Sequence, residues 1–224
     1  LQVVETVWGP VLHDGDAIDD ATDGDGDADS RGATPPALAL AWTAHRRGGV
    51  DFALIDLVHA RSVDEAVAAA QHAGMPAQNL VVGDRDGRIA WTLTGRIPRR
   101  TGGCDPQLPL QPTRGCDWDG WVDPGQVPKL VDPANQRLWT ANARVLDGAA
   151  LALVGDGGYA LGARQQQIRD GLFAHSRFDE QALLDIQLDD RALFLERWWR
   201  LLRETVEDPA LADDAAIAEL AAAS

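Results

Sequence analysis

The chain has 224 residues, 45% of them hydrophobic, enough to bury a core in one large domain or two small ones. Its formal net charge of −15 sets up a field that repels phosphate backbones, which argues against a nucleic-acid partner. No apolar run reaches the ~20 residues needed to cross a bilayer as a helix.

Much of the charge is local. Residues 14–29, DGDAIDDATDGDGDAD, are rich in Asp and hold no basic residue. Eight Trp against one Tyr and four Phe is an unusual aromatic set, suited to pocket walls and wet interfaces because Trp is bulky and carries a donor. Position 1 is Leu, no signal peptide is visible, and the chain opens inside a strand-like run. That reading expects a piece of a longer protein.

Residues 2–12 alternate as a strand, with Pro10 at an edge or bend. The Asp/Gly run reads as a solvated loop ending at Thr34-Pro35-Pro36. Residues 37–43, ALALAWT, read as a short buried strand. A helix is expected in 50–60. A second is expected from a capping box, Ser62 to Glu65, to about His72, with Gly74 ending it. Residues 78–83 and 87–94 read as a hairpin around Asp86-Gly87. The stretch 95–136, full of Gly, Pro, Asp and Trp, reads as an ordered meander with little regular structure, the kind of long loop that often carries function. Residues 137–143 read as a strand. Helical spacing then marks 163–174, 179–187 with Asp179 as N-cap, 189–206 and 209–223.

Other constellations are weak. Cys104 and Cys116 bracket a Pro/Gly-rich loop. Closing it as a disulfide would add ~3 kcal/mol and imply an exported protein, whereas the alternative is two thiols. The five His fit no metal motif. Asp189 and Asp190 read as acids serving the dipole of the helix expected at 189–206. Asp23, Asp25 and Asp27 have EF-hand spacing, but Ala28 stands where Gly is needed and Thr34 where Glu is needed.

Several segments, in order, resemble the penicillin acylase (penicillin amidase) family of N-terminal-nucleophile hydrolases, as the central part of its large chain. They are Thr6-Val7-Trp8-Gly9-Pro10, Ala41-Trp42-Thr43, Asp84-x-Asp86-Gly87-x-Ile89, Thr94-Gly95-x-x-Pro98-x-Arg100 and Trp118-x-Gly120. Thr140-Ala141-Asn142-Ala143-Arg144, Gly162-Ala163-Arg164-x-x-x-Ile168 and Gln187-x-Asp189 complete the set. The resemblance implies an α+β fold: part of an αββα sandwich, with a Pro/Gly/Trp-rich β meander and a helical C-terminal part. In that reading residues 1–162 are the mainly β part, with one or two helices, and 163–224 the helical part.

The resemblance also implies a chemistry. Family members cut themselves into two chains, and the new N-terminal Ser attacks an amide carbonyl with its own α-amino group as base. None of Ser30, Ser62, Ser176 or Ser224 stands at a chain start, so the nucleophile would lie upstream and this chain alone would be inactive. Its expected partners are a small acylated amide, the small chain and the N-terminal part of the large chain, and a second copy of itself when isolated. Asn142 matches the oxyanion-hole Asn. Arg164 matches the Arg that starts a helix beside it. Trp42 matches a Trp lining the acyl pocket, and Gln78 falls near another pocket-lining position. No cofactor is required. Some members hold a structural Ca2+ near an Asp-Pro step, which matches Asp105-Pro106 and makes Pro106 a candidate ligand position. The implied location is periplasmic or secreted.

Departures limit what transfers. The Asp/Gly loop is longer than the family's. Asp132-Pro133 replaces Asn-Pro, and Arg137 replaces an aromatic. The rival reading is a relative that has lost its nucleophile and binds acyl compounds without cleaving them, or a module with a structural role only.

Overall fold

The computed structural model describes residues 3–13, 37–103, 105, 108–110, 115–155, 157–211 and 213–223. It is a mixed helix and sheet chain that divides into two units. The first comprises residues 1–138 and 146–157, the second 139–145 and 158–224.

The first unit is organised by one strand. β4 (Ile89–Thr94) is buried over all but its first residue and lies between β3 (Gln78–Gly83) and β7 (Lys129–Val131), both antiparallel to it. Its inward-facing residues meet α1 (Val63–His72), whose Val63, Ala66, Val67 and Ala70 recur at helical spacing and are all buried. Val63, Val67 and Ala90 form the centre, with Val82 and Val131 closing its rim. The buried polar groups are paired. Gln71 donates to Thr92 Oγ1 (3.0 Å), Thr92 Oγ1 donates to the Pro128 carbonyl (3.0 Å), and Thr94 Oγ1 donates to the Ala70 carbonyl (3.2 Å).

The start of α1 is fixed as its sequence requires. Ser62 Oγ accepts from the Glu65 N–H at 3.3 Å, while Glu65 reaches back to the Arg61 N–H at 2.7 Å. The Asp84 carboxylate at the hairpin tip accepts from the Val63 N–H (3.2 Å) and also from the N–H groups of Asp86 and Arg88 (3.0 and 3.1 Å). The hairpin expected around Asp86-Gly87 forms, with its second strand starting at Ile89. Its loop runs from Asp84 to Arg88, because Asp84 folds that loop around its own side chain.

Other expectations need correction. Residues 37–43 form no buried strand: among them only β2 (Leu38–Ala39) pairs, with β1 (Val11–His13), as a two-stranded ribbon, and both β2 residues are exposed. Of residues 2–12, the described ones, 3–12, pair at their end, as the start of β1, and through a bridge from Glu5 to Pro10. The helix expected in 50–60 is a single 3-10 stretch, Ala53–Val58. Asp51 Oδ1 takes the N–H groups of Ala53 and Gly74, at 2.9 and 2.8 Å, and so ties this segment to the end of α1. The 95–136 meander holds more strand than expected: β5 (Pro98–Arg100) pairs with β6 (Trp118–Trp121), and β7 completes the central sheet. A short helix, α2 (Gly148–Val154), follows, and Arg100 of β5 donates to its Leu153 carbonyl at 3.0 Å.

The second unit is mostly helical. It holds α3 (Ala163–Ala174), α4 (Glu180–Gln187), α5 (Glu196–Val206) and α6 (Ala215–Ala223). Asp179 caps α4 as expected, accepting from the Ala182 N–H at 2.8 Å. The helix expected at 189–206 begins only at Glu196, after a 3-10 turn at Leu193–Leu195, and the one expected at 209–223 begins at Ala215. Residues 137–143 are not a strand. Among the described residues they pair through a single parallel bridge, from Ala143 to Ala160.

Candidate active site

Asn142 stands near the end of the stretch 137–143, which forms no strand. Its φ is +60°, in the left-handed region, which reverses the chain where a strand would continue. Asn is one of the few L-residues that enters this region readily. The turn is held on its far side, where the Asn142 carbonyl accepts from the Ala160 N–H at 2.9 Å.

Arg164 stands in the first turn of α3, in the same unit as Asn142. Its Nη2 donates to the Ala141 carbonyl at 3.1 Å and to Asn142 Oδ1. Gly162 provides no side-chain cap, and no acidic residue occupies this first turn. A cation there opposes the helix dipole by ~0.3–1 kcal/mol. The two hydrogen bonds offset that cost, and they set the orientation of the Asn142 amide. A guanidinium only donates, so the atom it meets must be the carbonyl oxygen. Nδ2, with both its hydrogens, is thereby turned away from Arg164, and the charge on the oxygen's side polarises those N–H bonds. Among the described residues no acceptor takes them. The arrangement is a fixed donor aimed outward, on an exposed side chain, of the type that stabilises a developing oxyanion.

Two polar atoms next to this pair went unread in the sequence. Thr140 Oγ1 and Gln165 Oε1 are buried with no hydrogen-bond partner among the described residues. An unpaired buried polar atom costs ~1–3 kcal/mol. Gln165 also lines a groove of about 740 Å3, whose wall includes Trp139, Arg144, Tyr159 and Arg169. Trp139 packs edge-on against Phe173, with ring centroids 5.6 Å apart. A left-handed Asn, a cation at a helix start and two orphan atoms thus fall within two short segments. Local rules broken together in this way are typical of functional sites.

The remaining candidates lie in the first unit or outside the described residues. Trp42 precedes a 3-10 turn, is 46% exposed, and packs edge-on against His45 at 5.2 Å. It is therefore not core. Gln78 opens β3 opposite Thr94 and is exposed. Cys116 is buried, but Cys104 lies outside the described residues, and with it the expected pairing. Pro106 and the Asp-rich segment also lie outside them. Asp189 does not start a helix as expected. Its carboxylate is bound by Arg191, through Nε at 2.7 Å and Nη2 at 2.9 Å. Among the described residues no three His, Cys, Asp or Glu side chains gather closely enough to hold a metal ion.

Comparison with known proteins matches residues 1–222 to the family model described as Penicillin amidase. The acyl-homoserine lactone acylase QuiP of Pseudomonas fluorescens (strain Pf0-1) is 32% identical over 162 residues, covering 71% of this chain and 19% of that protein. The penicillin acylase 2 proenzyme of Pseudomonas sp. (strain SE83) is 29% identical over 148 residues, covering 65% of this chain and 17% of its own length. Among solved structures, the thermostable penicillin G acylase from Alcaligenes faecalis in orthorhombic form superposes with a TM-score of 0.65 at 20% identity. That match covers 99% of this chain and 37% of the other. The chain spans about a fifth of the length of the curated relatives it matches.

Proposed function

The chain belongs to the penicillin amidase family, and from that premise we propose that it is part of an amidohydrolase that cleaves N-acyl amides. The observation that carries this reading is the Asn142–Arg164 pair, with the amide oxygen held by a guanidinium and the Nδ2 hydrogens left over. In the proposed mechanism an N-terminal Ser, supplied by the part of the protein beyond this chain, attacks the acyl carbonyl. Its α-amino group takes the hydroxyl proton and later passes it to the leaving amine. The carbonyl oxygen becomes negative in the tetrahedral intermediate, and Asn142 Nδ2 donates to it. Arg164 keeps the amide from rotating and, as a nearby cation, favours the neutral, basic form of the amine.

The relatives' names suggest the substrate class. Acyl-homoserine lactones and penicillins both present an acyl group on a small amine, and we place this protein's substrate in that class. Trp42 and Gln78 are proposed to contact the acyl group. The expected Cys104–Cys116 pair would suit a periplasmic or secreted enzyme. The Asp105-Pro106 step is proposed to serve a structural Ca2+ in the full-length protein.

The test is hydrolysis of a panel of N-acyl amides by the full-length protein, read as free amine released. Wild type should turn over at least one acyl-homoserine lactone or acylated β-lactam, and Asn142→Ala should not. Binding of those compounds without amine release would support the rival, non-catalytic reading.

A further inference from the structure

A cavity of about 460 Å3 lies between the β1–β2 ribbon and the β5–β6 pair, wholly within the first unit. Small-molecule sites commonly run from about 300 to 1,000 Å3. Its walls are largely apolar. Val11 and Leu38 come from the ribbon, Trp118 from β6, Trp8 from the chain before β1, and Leu110 from the chain between β5 and β6. Leu38 and Leu110 are 46% and 41% exposed, so the wall they make is open to a ligand.

One charge stands in this apolar setting without a counter-charge. Arg100 of β5 lies opposite Trp118 of β6 in the antiparallel register, so both side chains belong to one face of the pair. Arg100 is half-buried, and its Nη1 donates to the Leu153 carbonyl at 3.0 Å. That bond uses one of the guanidinium's N–H donors, and among the described residues no carboxylate or other acceptor takes the rest. Burial holds the guanidinium below its ordinary pKa, as expected of a cation stripped of water and given no anion. The cavity's other cation is already neutralised. Arg46 donates to Asp117 Oδ1 at 3.3 Å, with its guanidinium 5.4 Å from the centroid of the Trp118 ring. The Trp118 N–H donates to the same oxygen at 2.7 Å. The lining therefore carries a single uncompensated positive charge, on Arg100.

We propose that this cavity binds a small aliphatic carboxylate, with its apolar body against Trp8, Val11, Leu38 and Trp118 and its carboxylate on Arg100. The apolar walls favour a hydrocarbon body. The planar guanidinium matches a carboxylate, which can accept two parallel N–H bonds from it. One uncompensated cation balances one negative charge, which favours a monoanion over a phosphate dianion. The chain's net charge of −15 opposes multiply charged anions further. No residue of this site belongs to the Asn142–Arg164 pair that carries the acylase reading, so the two can be tested separately.

The experiment is calorimetric titration of the full-length protein with octanoate, octanol and octylammonium. Octanoate should bind at least about tenfold more tightly than octanol, and octylammonium should not bind. Arg100→Met should remove that preference, weakening octanoate about tenfold while octanol changes less than about twofold. Arg100→Lys, which keeps the charge but loses the planar fork, should fall between Arg100→Met and wild type. Ala39→Phe, which fills the cavity from β2, should weaken octanoate and octanol alike. If Arg100→Met does not fold, the wild-type comparison and Ala39→Phe still decide. Equal affinity of octanoate and octanol for wild type would overturn the proposal, because Arg100 would then contribute nothing. Octanoate binding that survives unchanged in Ala39→Phe would overturn it as well, because the ligand would then sit elsewhere. So would a wild type that binds none of the three, since another part of the full-length protein would then fill the cavity.

Discussion

Asn142 concentrates the account at the residue scale. Its left-handed φ costs something for any side chain but glycine, and its amide is oriented by a cation that itself sits against a helix dipole. Asn142→Ala should lower kcat of the full-length enzyme by ~10²–10³ with little change in KM, as loss of one oxyanion donor does elsewhere. The measurement is steady-state kinetics on the best substrate found. Arg164→Lys should cost less, about tenfold, because a point charge can reach one of its two acceptors but lacks the planar fork that orients the amide. Both residues were singled out in the sequence through their motifs and their separation, and the structure brings their side chains together. Thr140 and Gln165 were not. A Thr and a Gln carry no mark that says their polar atoms will be buried without partners; that depends on which chain segments pass beside them.

Among the elements, the first unit shows which signals survive into structure. The Ser62 cap and α1 follow from a side chain and a periodicity that act within a few residues. The strand β7 could not be read the same way. Its three residues pair with β4 across a separation of about forty positions, and nothing in Lys129-Leu130-Val131 itself selects that partner. Gly95 is a local signal with a structural answer. Its φ is +93°, and a Cβ there would lie 2.4 Å from the Met75 carbonyl oxygen. Gly95→Ala should therefore destabilise the protein by ~2 kcal/mol or more, seen as a lower urea midpoint at unchanged slope.

Acid should act on the same unit. Asp51 is held below its usual value of 3.8, first by the Gly74 and Ala53 N–H groups and then by Arg96, and Asp132 is held below 3.8 by Arg88 and the Ile89 N–H. A carboxylate with a lowered folded value stabilises fully above its unfolded value and loses that contribution as pH falls through the folded one. Urea midpoints should therefore hold steady well above pH 3.8 and fall as pH drops below it. In Asp51→Asn that acid-induced fall should be smaller. An unchanged fall would contradict the assignment.

For the whole molecule, the apolar surface is the telling quantity. Trp198, Trp199 and Leu201 of α5 and Phe194 before it are each more than half exposed. Exposed large apolar side chains gathered in one short stretch favour association in water. The 224-residue chain on its own should self-associate, and light scattering should report a mass above that of one chain. A monomer at high concentration would count against this. The family was legible at this scale because its motifs recur in order along most of the chain. The sequence divides 1–162 from 163–224, whereas the two units part at 157/158 and residues 139–145 join the helices that follow.

The central claim is that this chain supplies the oxyanion donor to a nucleophile generated by self-cleavage elsewhere in the full-length protein. It is tested most directly by purifying that protein and determining the intact masses and N-terminal sequences of its chains. The account predicts two chains, with the one that carries Asn142 beginning at Ser, or at Thr or Cys with the same chemistry. A single uncut chain, or a cut that exposes none of these residues, would contradict it.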